Sequence, residues 1–529
     1  MKKLALLLLL LCSPLFATTY YISYSTGSNG NNGLSEAAPW KTHPYMQTTS
    51  TCTGTGSAPV YIHADGDIFI FKQGDSWPNT CFDMVLNGGG VAGAPDTYTF
   101  DPNWGTAGGT RGNANQVVGA YQFTAGNAVI DGSDGYNRFI IDDGFNYVTF
   151  NGMELTGITW TGAGGSYGNG IAISIAASEY VIVSNCYMHG WTHPDATSDV
   201  FIGVQGEGED PYNLGSEVTS CVFDGINSGG TGVSDSGSAV FDVPLVDNNI
   251  IRNMSNGVLS NLNATIHDNL IGPINQDFDD SEHENCIETI TMDAGVASTN
   301  YIYNNVTHDC TAVNILTQGA AANTGTEIDY IWNNVAYVGT ADSPPIPIEF
   351  DSISTTNSGS AIYAWNNTVD GGAGLCFRSI DRGNGNYGIL QLINNHCITS
   401  GGSIYSFPIT GNSQTINNNI LSSTTDGFST PTSSGVPTPY AYAPISASAA
   451  TIGAGENLNS SATGFLSSLA NDTGFAGYRT VVSRGGGSCT PAAGVVGCWD
   501  AGAFQYTTLV PSVISISNGV VLKGGLTIR

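Results

Sequence analysis

A short phrase recurs along the second half of this chain: a few β-forming residues, one or two Asn, then more β-formers. It reads YNNVT ending at Thr307, WNNVA ending at Ala336, WNNTV ending at Val369, INNHC ending at Cys397 and NNNIL ending at Leu421. The last Asn of each copy gives the series Asn249, Asn269, Asn305, Asn334, Asn367, Asn395 and Asn419, with steps of 20, 36, 29, 33, 28 and 24 residues. The phrase continues upstream less regularly through Asn151, Asn185 and Ser220. A fixed motif at an irregular step near 28 marks a coil of nearly constant cross-section that carries loops of variable length. That is the signature of a β-solenoid.

Competing architectures need other patterns. A helical solenoid needs apolar residues at 3.6-residue spacing in Ala/Leu/Glu/Lys-rich segments, whereas these repeats are short runs of Ile, Val, Tyr and Thr broken by Gly, Asp and Ser. A propeller needs four strands in each repeat of roughly 40–50 residues, and each step here holds two or three. Asn is a poor strand former, so its recurrence at one point of each turn marks a bend. There its side-chain amide can bond backbone and the matching amide one coil away, at about 4.8 Å.

The opening residues MKKLALLLLLLCSPLFA combine Lys2-Lys3, an apolar run and Ala17. They read as a secretory signal, too short for a membrane span, with cleavage after Ala17. Leu11 is too large for the small residue that precedes a lipoprotein cysteine, which argues against that role for Cys12. No later stretch reaches 18 apolar residues, so no transmembrane segment is expected and the mature chain is read as secreted or surface-attached. Its remaining ten Cys suit an oxidising compartment. Cys489 with Cys498 is the first expected disulfide and Cys52 with Cys81 the second. Cys186 and Cys221 hold the same place in successive repeats and are read as either bridged or stacked. With no Cys-x-x-Cys pair, they are not read as metal ligands.

Without Lys2 and Lys3 the mature chain carries 11 basic against 43 acidic residues, a net charge of −32, with no Lys between Lys72 and Lys523. Such a surface repels nucleic acid and anionic membranes. It also repels an anionic polysaccharide unless divalent cations bridge the two.

The segment YYISYSTGSNGNNGLSEAAPWKT (Tyr20–Thr42), the phrase GDIFIFKQGDSW (Gly66–Trp77) with NGGGVAGAPDTYTF (Asn87–Phe100), and the ending GCWDAGAFQY (Gly497–Tyr506) resemble those of secreted right-handed parallel β-helix proteins of the pectin-lyase-like superfamily. The resemblance spans roughly residues 20–506. It implies an all-β, right-handed parallel β-helix with an N-terminal capping helix begun by Pro-Trp-Lys-Thr and a C-terminal capping segment. Terminal coils need such covers, because unpaired strand edges invite aggregation. Residues 38–48 are expected to supply the first cover, and the chain beyond a loop at Ser422–Ala450 the second, up to Tyr506. The expected division is therefore a signal at 1–17, a capped helix at 18–506 and a tail at 507–529 that reads as one or two strands, VISISNGVVL.

A second strand in each coil carries the candidate chemistry: NCIETITMD from Asn285, TAVNILTQG from Thr311, IPIEFDSIS from Ile346 and GLCFRSIDR from Gly374. With Ile287, Val313 and Ile348 inward, alternation places Glu288, Asn314 and Glu349 outward on successive coils, and Arg378 joins the row. Glu288 and Glu349 are two coils apart, about 10 Å of backbone. Side-chain lean brings the carboxyls toward the roughly 6.5–9.5 Å of an inverting glycosidase pair.

The loop just before Glu288, DFDDSEHENCIE, is the densest ionisable cluster in the chain. Asp277, Asp279, Glu282 and Glu284 offer oxygen ligands suited to Ca²⁺. His283 and Asp280 are candidates for proton transfer. An acidic, solvated loop is the plain alternative. Weaker candidates are Glu207, Glu209 and Asp210, and a sugar-stacking wall from His189, Trp191 and His193, for which a turn with a buried Trp is the competing reading. The stretch Asp131–Gly144 reads as turn chemistry, because it lacks the closing Glu of a Ca²⁺ loop.

Two functions remain open. One is an enzyme on extracellular polysaccharide, lyase or hydrolase. Related β-helix lyases use Ca²⁺ with Lys or Arg; the missing Lys disfavours a Lys base here and leaves Arg252, Arg378 and Arg382. Of the polygalacturonase pattern only the pair Asp279-Asp280 is present. The other is a non-catalytic rod that displays loops or binds glycans, since fold alone does not imply function.

Overall fold

The computed structural model describes residues 17–506 apart from segments 106–115, 159–169, 191–200, 207–212, 226–236, 275–283, 292–296, 320–325, 339–345, 352–359, 381–387, 408–412, 459–470, 474–482 and 485–495 and a few shorter stretches. Among the described residues, three parallel sheets of 13, 12 and 11 strands run along the chain and are called A, B and C here. Each coil adds one strand to each sheet in turn. Ser298–Tyr303 joins sheet A, Val306–His308 sheet B and Val313–Gly319 sheet C, before Glu327–Trp332 returns to sheet A. The chain is a right-handed parallel β-helix.

Period-two alternation fills the interior. Ile302, Ile331, Ala364 and Leu392 point inward from sheet A, Ile271, Ala336 and Val369 from sheet B, and Ile287, Ile315, Ile348 and Phe377 from sheet C. All are fully buried.

Between sheets A and B the chain turns sharply at the recurring Asn. The first residue of the turn adopts the left-handed conformation, with φ of 55° at Asn304 and Asn333 and 52° at Asn366. Asn tolerates this region because its short polar side chain bonds locally. The next Asn points inward and forms a ladder. Asn305 Nδ2 donates to Ile266 O (2.9 Å) and to Asn334 Oδ1 (3.1 Å), and Asn305 N donates to that same Oδ1 (3.0 Å). The pattern repeats from Asn249 through Asn269, Asn305, Asn334, Asn367 and Asn395 to Asn419. The upstream phase expected from Asn185 and Ser220 is one residue off. Those two occupy the left-handed site, with φ of 52° and 56°, and the ladder passes through Cys186 and Cys221. Cys221 N donates to Asn249 Oδ1 and Cys186 N to Cys221 Sγ, so these thiols are stacked and free rather than bridged.

At the N-terminal end Trp40 is buried against Tyr20, with ring centroids 4.5 Å apart, and bridges to Ile22. The cover is built from turns, with a single helical turn at Ser50–Thr53 instead of a helix begun at Pro39. The Cys52–Cys81 disulfide ties it to the first coil, as expected. Cys489 and the Cys498 side chain lie outside the described residues. Two bridges not foreseen, Cys286–Cys310 and Cys376–Cys397, tie sheet C to the neighbouring coil. The described residues between 451 and 506 lie along the flank of sheets A and B. Leu458 and Trp499 pack on Trp332 and Trp365, while Ala503 and Phe504 pack beside Val335 and Ile398. The outward Asn of the turns hold this segment: Asn333 Nδ2 donates to Asn471 O and Asn394 Nδ2 to Glu456 O. No described helix is long and apolar enough to cross a membrane.

Candidate functional site

The candidate residues lie on the outer face of sheet C. Glu288 pairs in register with Leu316, Leu316 with Glu349 and Glu349 with Arg378. Sequence alternation therefore gives the correct face and row for Glu288, Glu349 and Arg378. It misassigns the residue between them. Asn314 is wholly buried, and its amide donates to Thr307 Oγ1 and Tyr337 O, while Leu316 takes its place in the row.

Two disulfides brace the strands that present these groups. Cys286 and Cys376 each sit two residues before a site residue, Glu288 and Arg378, and each bridges into the neighbouring coil. Both Cys lie in the core just before their strands begin at Ile287 and Phe377, where the chain has not yet taken up the strand alternation that turns Glu288 and Arg378 outward. Asn285 adds a second brace: its N donates to Asn256 Oδ1, and its Nδ2 donates to Glu288 Oε2 at 2.8 Å.

Glu349 is the centre of the row. Arg378 donates to Glu349 Oε2 through Nε at 2.7 Å and also through Nη2. Asp351 follows two residues later on the same strand and face, and it was missed in the sequence although period two places it there. Burial pushes the Glu349 carboxyl up, Arg378 pulls it down and Asp351 pushes it up again, leaving it above the ordinary glutamate value. Desolvation disfavours the charged form, and a second carboxylate adds to that cost. Glu288, Leu316, Glu349 and Asp351 are buried, whereas the Arg378 side chain remains 37% exposed.

The other candidates do not join this row. His283, Asp280, Asp277, Asp279 and Glu282 lie outside the described residues, as do Glu207, Glu209, Asp210, Trp191, His193 and Arg382. Glu284 is described and buried, four residues before Glu288 and at φ 50°. Among the described residues no group of three His, Cys, Asp or Glu is placed to hold a metal ion. His189 is on sheet B, fully buried, with Nε2 2.8 Å from Glu154 Oε1 and its ring stacked on Tyr187. It is a buried, paired histidine on the face of sheet B opposite inward Met188. Arg252, also on sheet B, donates through Nε and Nη2 to Asp224 Oδ2. The stretch Asp131–Gly144, expected as turn chemistry, is mostly strand, within Val129–Tyr136 and Arg138–Ile141, and turns only at its end, where Asp142 accepts from Phe145 N at 3.2 Å.

Three sheets, one short turn between A and B, and an Asn ladder in that turn decide the architecture. The fold is a right-handed parallel β-helix. No protein-family model and no curated protein sequence matches the chain. Among solved structures it is similar to a rhamnogalacturonan lyase (13% identity, 79% of this chain and 91% of that one, TM-score 0.44). It is similar also to the pectate lyase Pel9A (13% identity, 94% and 98%, TM-score 0.43). A third is the GH136 lacto-N-biosidase from Eubacterium ramulus (11% identity, 75% and 68%, TM-score 0.38). These likenesses concern the winding of the chain, and no site residue of this β-helix is assigned from them.

Proposed function

We propose that this β-helix acts on an extracellular polysaccharide laid across sheet C, and that the reaction is hydrolysis with inversion. The observation that carries the reading is the environment of Glu349: a buried carboxyl raised by desolvation and by Asp351, with Arg378 on one oxygen, two coils in register from Glu288. A carboxyl raised above its ordinary value is better able to carry a proton and to give it to the glycosidic oxygen as the bond to the anomeric carbon breaks. Glu288, about 10 Å away along the axis, takes a proton from a water that attacks the opposite face. One water is consumed, and the two carboxyls exchange protonation states. Arg378 orients Glu349 and keeps its pKa from rising further.

Elimination is less well supported, because no Lys lies between Lys72 and Lys523 to serve as base, and Arg378 is engaged by Glu349. Burial of Glu288 and Glu349 favours a second reading, a rod that binds glycan at its surface without turnover. Ca²⁺ at Asp277, Asp279, Glu282 and Glu284 belongs to the proposal as a local counter-charge beside Glu288.

A screen of neutral and uronic polysaccharides, with and without EDTA, separates these readings. New reducing ends lost in Glu349→Gln and Glu288→Gln support hydrolysis. Glycan binding unchanged in both variants and without turnover supports the rod.

A further inference from the structure

The outer row of sheet C continues upstream of Glu288. Gln205 pairs in register with Phe241, Phe241 with Leu259 and Leu259 with Glu288, so one line of side chains runs from Gln205 to Arg378. Their strand neighbours Val204, Val240 and Val258 point into the core, which turns Gln205, Phe241 and Leu259 outward, and all three are half-buried. The aromatic side chains of sheet A are arranged differently. Tyr301, Tyr330 and Tyr363 stand in successive coils and stack on one another, with centroids 5.4 and 4.9 Å apart, so each ring covers a face of the next. Phe241 has Gln205 and Leu259 at its position in the adjoining coils, so neither face of its ring meets a ring in the row.

We propose that this face takes a neutral glycan, with sugar rings on Phe241 and Leu259 and hydroxyls on Gln205 and Gln318, and that it rejects uronates. The inference rests on reading sheet C as the glycan face; it adds the class of glycan and does not depend on turnover. Charge is the first argument. The described strands of sheet C from Phe201 onward carry three carboxyls, Glu288, Glu349 and Asp351, and one cation, Arg378, which is bound to Glu349. A uronate chain along the row brings its carboxylates to these carboxyls and meets no unpaired cation in the described strands. Hydrogen bonding is the second. Gln205 Oε1 and Gln318 Oε1 are acceptors without a partner, and Gln318 lies between Ile290 and Asp351 on the face of Glu288 and Glu349. Such an oxygen wants a donor, which a sugar hydroxyl supplies and an ionised carboxylate does not. Shape is the third. The C–H face of a sugar ring packs on an aromatic face, and Phe241 lies two coils, about 10 Å, from Glu288, so a glycan held there continues across the carboxyls.

Affinity electrophoresis of the full chain tests this, in gels containing arabinoxylan, galactomannan or β-glucan on one side and polygalacturonate or alginate on the other, each with Ca²⁺ and with EDTA. Retardation by at least one neutral glycan and by neither uronate is expected. Phe241→Ala is expected to weaken the neutral glycan about tenfold, and Phe241→Trp, which restores a ring, to keep its affinity. Binding of a uronate under either condition overturns the proposal. So does the absence of binding to every glycan tested, or an affinity unchanged in Phe241→Ala. Turnover is scored separately by reducing ends. A neutral glycan bound through Phe241 and never cleaved removes the hydrolysis and leaves this inference standing, whereas a uronate that is cleaved removes this inference and leaves the hydrolysis.

Discussion

Asn334 and Asn367 are fully buried in neighbouring coils, and Asn367 Oδ1 accepts from both the side-chain amide of Asn334 (3.1 Å) and its backbone N (3.0 Å). Asn367 Nδ2 in turn donates to Ile331 O at 2.9 Å. One side chain thus satisfies groups on two other turns. Asn367→Leu strands the donors of Asn334 and the Ile331 carbonyl in a dry interior. A loss of about 3 kcal/mol is expected in urea unfolding, from roughly 1–3 kcal/mol per buried group left unsatisfied.

The neighbouring residue gives the opposite expectation. Asn366 is also fully buried, but neither its Oδ1 nor its Nδ2 has a hydrogen-bond partner, and its φ is 52°. Its contribution is conformational, and glycine takes this φ without strain. Asn366→Gly is expected to leave stability within about 0.5 kcal/mol. Unfolding of the two variants side by side separates the ladder from the turn.

The fold was legible in the sequence because Asn at the ladder site satisfies groups on neighbouring turns and recurs as one letter from Asn249 to Asn419. The phase was less legible where that letter changes. At Asn185 and Ser220 a turn-forming residue occupies the left-handed position, and the ladder site itself holds Cys186 and Cys221. The row on sheet C shows a different limit. Alternation fixes which face a side chain takes but is blind to a slip of two, so Asn314 and Leu316 are equivalent to it, and only strand pairing selects Leu316. The bridges Cys286–Cys310 and Cys376–Cys397 span 24 and 21 residues, less than a coil, and cross the interior, so same-place logic does not find them.

Asp329 makes stability depend on pH. It faces the interior, with its Oδ1 accepting from Asn300 Nδ2 at 2.9 Å, and burial pushes it up to about 7, opposed by Asn300 and Thr317. The folded chain therefore holds a proton that the unfolded chain releases near pH 4. Stability from this group is fully present below pH 4 and is lost as pH rises to about 7. The melting temperature of the wild type is expected to fall across that window, and Asp329→Asn to flatten this part of the curve.

Removing the Cys286–Cys310 bridge through Cys286→Ala/Cys310→Ala is expected to cost about 3 kcal/mol for a loop of this length. Because the bridge sits two residues before Glu288, turnover on any substrate found is expected to fall more than binding does. Denaturation and a comparison of kcat with KM check the two parts separately.

Arg378→Gln removes the cation that lowers Glu349, so the Glu349 carboxyl rises further. A general acid works only while protonated, so activity falls as pH rises through its pKa. The variant is expected to be slower, with the alkaline limb of its rate profile moved to higher pH. An unmoved limb would show that Glu349 is not the group titrating there.

The most direct test of the sheet C site is proton magnetic resonance of the first product formed from a cleaved glycan. Glu349 as acid and Glu288 as base, two coils apart, require a saturated sugar whose new reducing end has the inverted anomeric configuration. A retained configuration, or an unsaturated sugar from elimination, would contradict that assignment.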